Sequence, residues 1–297
     1  MIIDIHAHLY KYPYPYSIDP ATGKYNFIFP NEYDLRSIHD SLGIDRAVLL
    51  PLVSSEVYMP QSIGELIDIC DASDGRFVPF CNLDPRVLSN SSDTDLGFLL
   101  EYYKQKGCVG MGEVLPLMAF DDPYMQNLFY HCQKVGFPLL FDLSASQKTG
   151  YGIYDDPGLP RLRHSLEKFP QLLFIGHGPA FWSELGELHP GENRRSYLHT
   201  AIEKEGAVIK LMRDYKNLAV DLSAGSGYYA MTRDRDFAAS FINEFSDRIM
   251  FGTDICFAAI PHEILNVFLK ELASDKLITT EKYEAVMHKN AERLLGI

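Results

Sequence analysis

Eight short apolar runs, spread along 297 residues, most constrain what this chain can fold into. They are IIDIHAH (2–8), DRAVLLP (45–51), RFVPFCNLD (76–84), GCVGMGEV (107–114), FPLLFDLS (137–144), QLLFIGHG (171–178), NLAVDLS (217–223) and DRIMFGTDI (247–255). A strand that is apolar throughout must be covered on both faces, and a parallel sheet flanked by helices meets that demand. Segments with helical signals fill most of the gaps: 31–43, 61–75, 94–107, 122–136, 156–170, 197–216 and 233–246, with two more at 261–274 and 279–297. Several end on glycine or run into proline, and several open on Asp with Pro in the first turn. Eight strand–helix units predict an α/β fold, a (β/α)8 or TIM barrel forming a single domain over residues 1–297. No Gly-x-Gly-x-x-Gly or phosphate-loop motif supports an open doubly wound sheet instead.

Two connections are long: 9–30, LYKYPYPYSIDPATGKYNFIFP, and 178–196, GPAFWSELGELHPGENRRS. Loops of this length inside a compact domain are usually functional. Both follow strand ends, which places both on the catalytic face of a barrel.

The charge balance excludes some classes of partner. Lys and Arg number 27 against 40 Asp and Glu, a net charge of −13 with no basic tract. Nucleic acid and anionic membrane surfaces are poor partners for such a chain. The five cysteines are odd in number and lack Cys-x-x-Cys spacing, so neither a disulfide framework nor a cysteine zinc site is expected. The opening MIIDIHAHLY lacks a basic region followed by an apolar core, so no signal peptide is expected there, and no apolar run is long enough to span a bilayer. These features predict a reduced, cytoplasmic protein.

Ionisable residues cluster at the strand ends: His6 and His8, Glu113, Asp142, His177, Asp221 and Asp254. In a parallel barrel these ends share one rim, where active sites sit. His6 and His8 are two apart on a strand, so both imidazoles project to one side and can share a metal ion. Asp254, in FGTDICF, is placed to bind that ion and take a proton, or to cap a helix. His177 can ligate, polarise a substrate or pack under the aromatic loop after it. Glu113 can ligate, transfer protons or form an ion pair. The tetrapeptide Asp-Leu-Ser-Ala occurs twice, at Asp142 and at Asp221, as equivalent places on two strands. Asp221 leads into LSAGSG, read as a tight glycine-rich turn, and is expected to be structural or to support a ligand. Tyr10, Tyr12, Tyr14 and Tyr16, with Phe181 and Trp182, are candidates to wall a substrate pocket or to pack the loops.

In combination and order, IDIHAH, Glu113 after a glycine-rich strand, His177 in PQLLFIGHGPAFW and Asp254 in RIMFGTDI resemble the amidohydrolase superfamily. The likeness is greatest to the branch of aminocarboxymuconate-semialdehyde decarboxylase and related decarboxylases and hydrolases. The resemblance implies a barrel with one divalent metal, usually zinc and sometimes manganese. His6 and His8 would be ligands, Asp254 a ligand or base, and His177 a ligand or an aid to the chemistry. It also implies a small-molecule substrate and a homodimer. The chain departs from the pattern at Asp142, where the branch commonly carries a metal-binding histidine. Asp142 then either replaces that ligand with an oxygen, contacts substrate while Glu113 or His177 completes the coordination, or bonds only its neighbours in a site where the metal is weakly held or absent. The function implied is hydrolysis of an amide, lactone or ester-like bond by metal-activated water. The alternatives are metal-dependent non-oxidative decarboxylation and a degenerate barrel that binds without turnover.

Overall fold

The computed structural model describes residues 1–57, 60–258 and 264–297. Its centre is a ring of eight parallel strands, one inside each apolar run: β1 (Ile3–Ala7), β2 (Arg46–Leu49), β3 (Phe77–Pro79), β4 (Met111–Val114), β5 (Leu139–Ser144), β6 (Phe174–His177), β7 (Leu218–Asp221) and β8 (Ile249–Met250). Continuous pairing runs through β1–β2–β3 and through β4–β5–β6–β7–β8. Two bridges close the ring, Cys81 with Met111 and Ala7 with Ile255. Ile5 N also donates to Phe251 O at 3.0 Å across the last seam.

Apolar burial on both sides of the ring explains why these runs lack alternation. Ile3, Val48, Leu140, Ile175, Ala219 and Met250 pack inside the barrel, and Ala291 and Leu295 of the last helix, Asn290–Leu295, join the same cluster. A larger cluster that includes Phe129, Phe141, Phe174 and Phe241 fills the space between strands and helices. Each such side chain, fully buried, contributes roughly 1.5–3 kcal/mol.

Two strands break the alternation where the site begins. Asp4 pairs with Ala47 and Ala7 with Leu49, so three steps along β1 match two along β2. Ile5 belongs to the interior cluster and Ala7 to the outer layer, so the extra residue lets both Ile5 and His6 turn inward. Asp4 holds this bulge: its Oδ1 accepts from His6 N and from Thr253 N, each at 2.9 Å. β4 repeats the device. Met111 pairs with Leu139 and Val114 with Phe141, again three steps against two. Met111 and Val114 both face the outer core, which leaves Glu113 to face the mouth. Bulges next to sites re-aim side chains in this way.

Several local expectations are corrected. The 9–30 connection holds an antiparallel hairpin, Tyr14–Ile18 with Tyr25–Ile28; the Tyr16 side chain lies outside the described residues. LSAGSG is no tight turn. It opens the helix Ala224–Thr232, with Ser223 at the N-cap position. The 197–216 segment is helical only over Ala207–Asp214. Its first part lies against residues 185–187, where Glu187 N donates to Lys204 O and Gly206 N to Leu185 O. The helix expected over 261–274 is seen as Asn266–Ser274; Pro261, His262 and Glu263 lie outside the described residues. Among the described residues, no helix is long and apolar enough to cross a membrane. All five cysteines are free thiols.

Candidate active site

The strand ends bring six of the seven expected rim residues around one point and place Asp221 just behind it. His6 Nδ1 lies 2.7 Å from Asp221 Oδ2, and His8 Nδ1 lies 2.9 Å from the Leu50 carbonyl oxygen. A carbonyl and a carboxylate only accept, so each Nδ1 carries the proton and each Nε2 is left for the site. Those two Nε2 atoms face each other at 3.2 Å. Two lone pairs at that distance repel unless an electrophile lies between them. Asp254 Oδ1 is 3.5 Å from His6 Nε2 and 3.3 Å from His8 Nε2. Glu113 Oε2 is 3.6 and 3.5 Å from the same two atoms. His177 Nε2 completes the ring, 3.9 Å from Glu113 Oε1 and from Asp254 Oδ2.

These donors fall into groups whose ligand atoms lie within 4.8 Å of one another: His6, His8 and Glu113; His6, His177 and Asp254; Glu113, Asp142 and His177. A mixed nitrogen and oxygen set of this kind suits a borderline divalent ion. The charges point the same way. Burial works to lower the His8 pKa, yet Asp254 and Glu113 hold it up to about 9. His6 is likewise held above the ordinary range against its burial, by Asp254, Asp221 and Glu113. Burial works to raise Glu113 and Asp254, and the histidines hold both low. Positive charge is thus in demand at the point where the donors converge, and a dication would supply it.

Strand 8 delivers Asp254 through a close crossing. A Cβ on Gly252 would sit 2.6 Å from Asp221 Oδ1 and 3.2 Å from His6 Cβ, so only glycine lets this strand pass beneath the histidine. Asp254 itself has φ 53°, a left-handed conformation that aspartate tolerates better than most residues. Its N–H donates to His6 O at 2.7 Å, and its side chain is the most exposed of the rim carboxylates. The conformation that aims Asp254 at the histidines is therefore held by β1 itself.

Asp142 is wedged between glycines. Gly178 has φ 95°, and a Cβ there would meet Asp142 Oδ1 at 2.6 Å. Burial, then Glu113, pushes the Asp142 carboxyl well above the usual carboxylate range. Phe181 and Trp182 lie in the core and not among the rim donors. Both are buried in the main core, with the Phe181 ring 5.9 Å from Phe141 and Trp182 Nε1 donating to Asp221 O at 3.2 Å. They sit there because the chain turns straight into the helix Pro179–Ser183 after β6, which carries the aromatics behind the strands. Tyr10 is buried too, but at the mouth. Its ring stacks on Phe29 at 4.6 Å, and Phe29 lies 5.5 Å from the His8 ring.

Three contributors escaped the sequence reading. Ser223 Oγ donates to Asp221 Oδ2 at 2.6 Å and lies within 3.2 Å of both His6 and His177 Nδ1. Asp4, inside IDIHAH, is hidden by its place in an apolar run, although a buried acid there needs partners. Cys256 Sγ donates to Asp254 Oδ1 at 3.1 Å, and only its two-residue spacing from Asp254 hints at that.

The comparisons with known proteins agree with this fold. A family model described as Amidohydrolase matches residues 3–297. No match among curated proteins is significant. Among solved structures, an amidohydrolase from Burkholderia multivorans with bound zinc is 13% identical, with TM-score 0.62, covering 100% of this chain and 99% of that one. A Pseudomonas putida protein described as a candidate 2-pyrone-4,6-dicarboxylic acid hydrolase is 13% identical, with TM-score 0.59 and coverage of 99% and 97%. A 2,6-dihydroxybenzoate decarboxylase is 14% identical, with TM-score 0.59 and coverage of 100% and 99%. At these identities the solved structures speak for the fold, and the family match speaks for descent. The chain belongs to the amidohydrolase family.

Proposed function

We propose that this protein is a metal-dependent hydrolase of a small molecule, cleaving an amide, lactone or other ester-like bond. The observation that carries the reading is the facing pair of Nε2 atoms on His6 and His8, 3.2 Å apart. Such a pair needs a proton between them in the metal-free protein and a divalent ion in the loaded one. His6, His8, Asp254 and Asp142 would hold the ion. Zinc suits this set, and zinc is bound in the Burkholderia neighbour; the Asp142 oxygen also suits manganese. When bound, the ion supplies Lewis acidity and lowers the pKa of water towards ~7.

The chain's own side chains do the rest. Asp254, the rim carboxylate most open to the mouth, accepts the proton of the attacking water and returns it to the leaving group. Asp221 Oδ2 lies 3.0 Å from His177 Nδ1 and stabilises a charged imidazole there. That charge steadies the negative charge that develops on the substrate oxygen. Glu113, facing both His8 and His177, relays protons between the two sides of the rim. Tyr10 and Phe29, with Leu52, Val57 and Leu115, give the mouth one apolar side.

The second reading is non-oxidative decarboxylation, favoured by the 2,6-dihydroxybenzoate and 5-carboxyvanillate decarboxylases among the structural neighbours. There Asp254 or Glu113 would deliver the proton that replaces carbon dioxide. The test is metal content by mass spectrometry, followed by a panel of lactones, amides and aromatic acids. One bound ion with hydrolysis supports the lead reading. Carbon dioxide release without hydrolysis replaces it with the second. Failure to take up zinc or manganese counts against both.

A further inference from the structure

A cavity of about 180 Å³ opens beside the rim on the β5 side, lined in part by Asp142, Ser144, Thr149, Gly150, Tyr151 and Arg195. Asp142 ties this cavity to the donor group it forms with Glu113 and His177. Arg195 lines the same cavity and is exposed. Its guanidinium touches Thr149 Oγ1 at 3.5 Å, and no described carboxylate pairs with it. That is notable in a chain with 40 acids and 27 bases, where an acid partner is easily found.

The preceding residue shows how Arg195 is held there. Arg194 is buried; its Nε pairs with Glu184 Oε1 at 2.8 Å and its Nη1 donates to Asp155 O at 3.0 Å. Two adjacent arginines therefore divide the work. Arg194 pins the loop to the barrel, and Arg195 is left facing the cavity with its donors available.

We propose that Arg195 receives a carboxylate of the substrate, remote from the bond that is broken, so that the substrate class is small organic acids. This rests on the hydrolase reading of the rim and adds a second anchoring point to it. The planar guanidinium fork matches a carboxylate with two parallel hydrogen bonds. Arg195 is also the one cationic side chain among the described residues that line this cavity.

The test is calorimetric titration of zinc-loaded wild type, Arg195→Gln and Arg195→Lys with glutarate, butyrate and 3-phosphonopropionate. Wild type should bind glutarate about tenfold or more tighter than butyrate, the scale of a lost charge-assisted contact. Arg195→Gln should erase that preference and Arg195→Lys should restore part of it, with metal content equal in all three. Equal glutarate binding by wild type and Arg195→Gln, or no dicarboxylate preference in wild type, overturns the proposal. A stronger Arg195-dependent response to the phosphonate overturns the carboxylate assignment. The two readings fail separately. A protein that takes up no metal but binds glutarate through Arg195 keeps the subsite and loses the hydrolase reading. Full metal content without Arg195 dependence does the reverse.

Discussion

His6 Nδ1 lies 2.7 Å from Asp221 Oδ2, and the same oxygen lies 3.0 Å from His177 Nδ1. One buried carboxylate on β7 thus fixes the tautomer and tilt of histidines on β1 and β6. Burial works to raise the Asp221 carboxyl, but His6 and the bonds from both rings hold it far below the usual range. Asp221→Asn puts an amide where a charge was and cannot satisfy both rings and Ser223 at once. Metal affinity should fall about 10- to 100-fold, read by chelator competition, with the fold retained by circular dichroism. Unchanged affinity would remove Asp221 from this role.

Removing the metal should destabilise the protein. An ion that binds only the folded state at 100 times its Kd adds about 2.7 kcal/mol. Chelator treatment is expected to lower the melting temperature, and zinc or manganese to restore it. The double variant His6→Ala/His8→Ala should show no such response.

Protons and metal should compete for the same nitrogens. His8 is held at about 9, above its ordinary 6.5, because Asp254 and Glu113 outweigh burial. The folded metal-free protein therefore takes up that proton more readily than the unfolded chain does. This stabilisation is complete below about 6.5 and is lost as the pH rises through about 9. The metal needs the nitrogen bare, so its apparent affinity should rise across that window. Chelator competition and urea melts of the stripped protein, at about pH 6, 7.5 and 9, check both slopes. A pH-independent affinity would contradict the assignment of His8 as a ligand.

Asp142 should influence the choice of ion. A carboxylate oxygen favours manganese more than an imidazole does. Asp142→Asn is expected to weaken manganese binding about tenfold and zinc binding less. If both affinities match wild type, Asp142 is not a ligand.

Phe181 should behave as core. Phe181→Ala should cost about 3–5 kcal/mol of stability and leave metal stoichiometry unchanged. A variant as stable as wild type would return Phe181 to the list of pocket walls.

Much of the site was legible because its residues stand at the ends of apolar runs, where an ionisable group is conspicuous. His6 with His8, and Asp254 after a glycine and a threonine, stand out by residue type and short spacing alone. Phe181 and Trp182, open to two readings, were not decided by residue type or spacing. Aromatics after a strand end look like pocket walls until the helix Pro179–Ser183 is seen to carry them inward. Ser223 and Arg195 carry no local signal, because their partners lie far along the chain.

By itself, the sequence determined the eight strands, their burial on both faces and the inventory of donors on one rim. Those follow from apolar runs and helix signals, which are local. Only the tertiary structure decided which donors meet. The bulges of β1 and β4 turn His6, His8 and Glu113 inward, and each exists only as a mismatch of steps against a neighbouring strand. The sharing of one Asp221 oxygen by two histidines was decided in the same way. Register and shared partners depend on residues tens to hundreds of positions apart, and only the closed barrel brings those residues together.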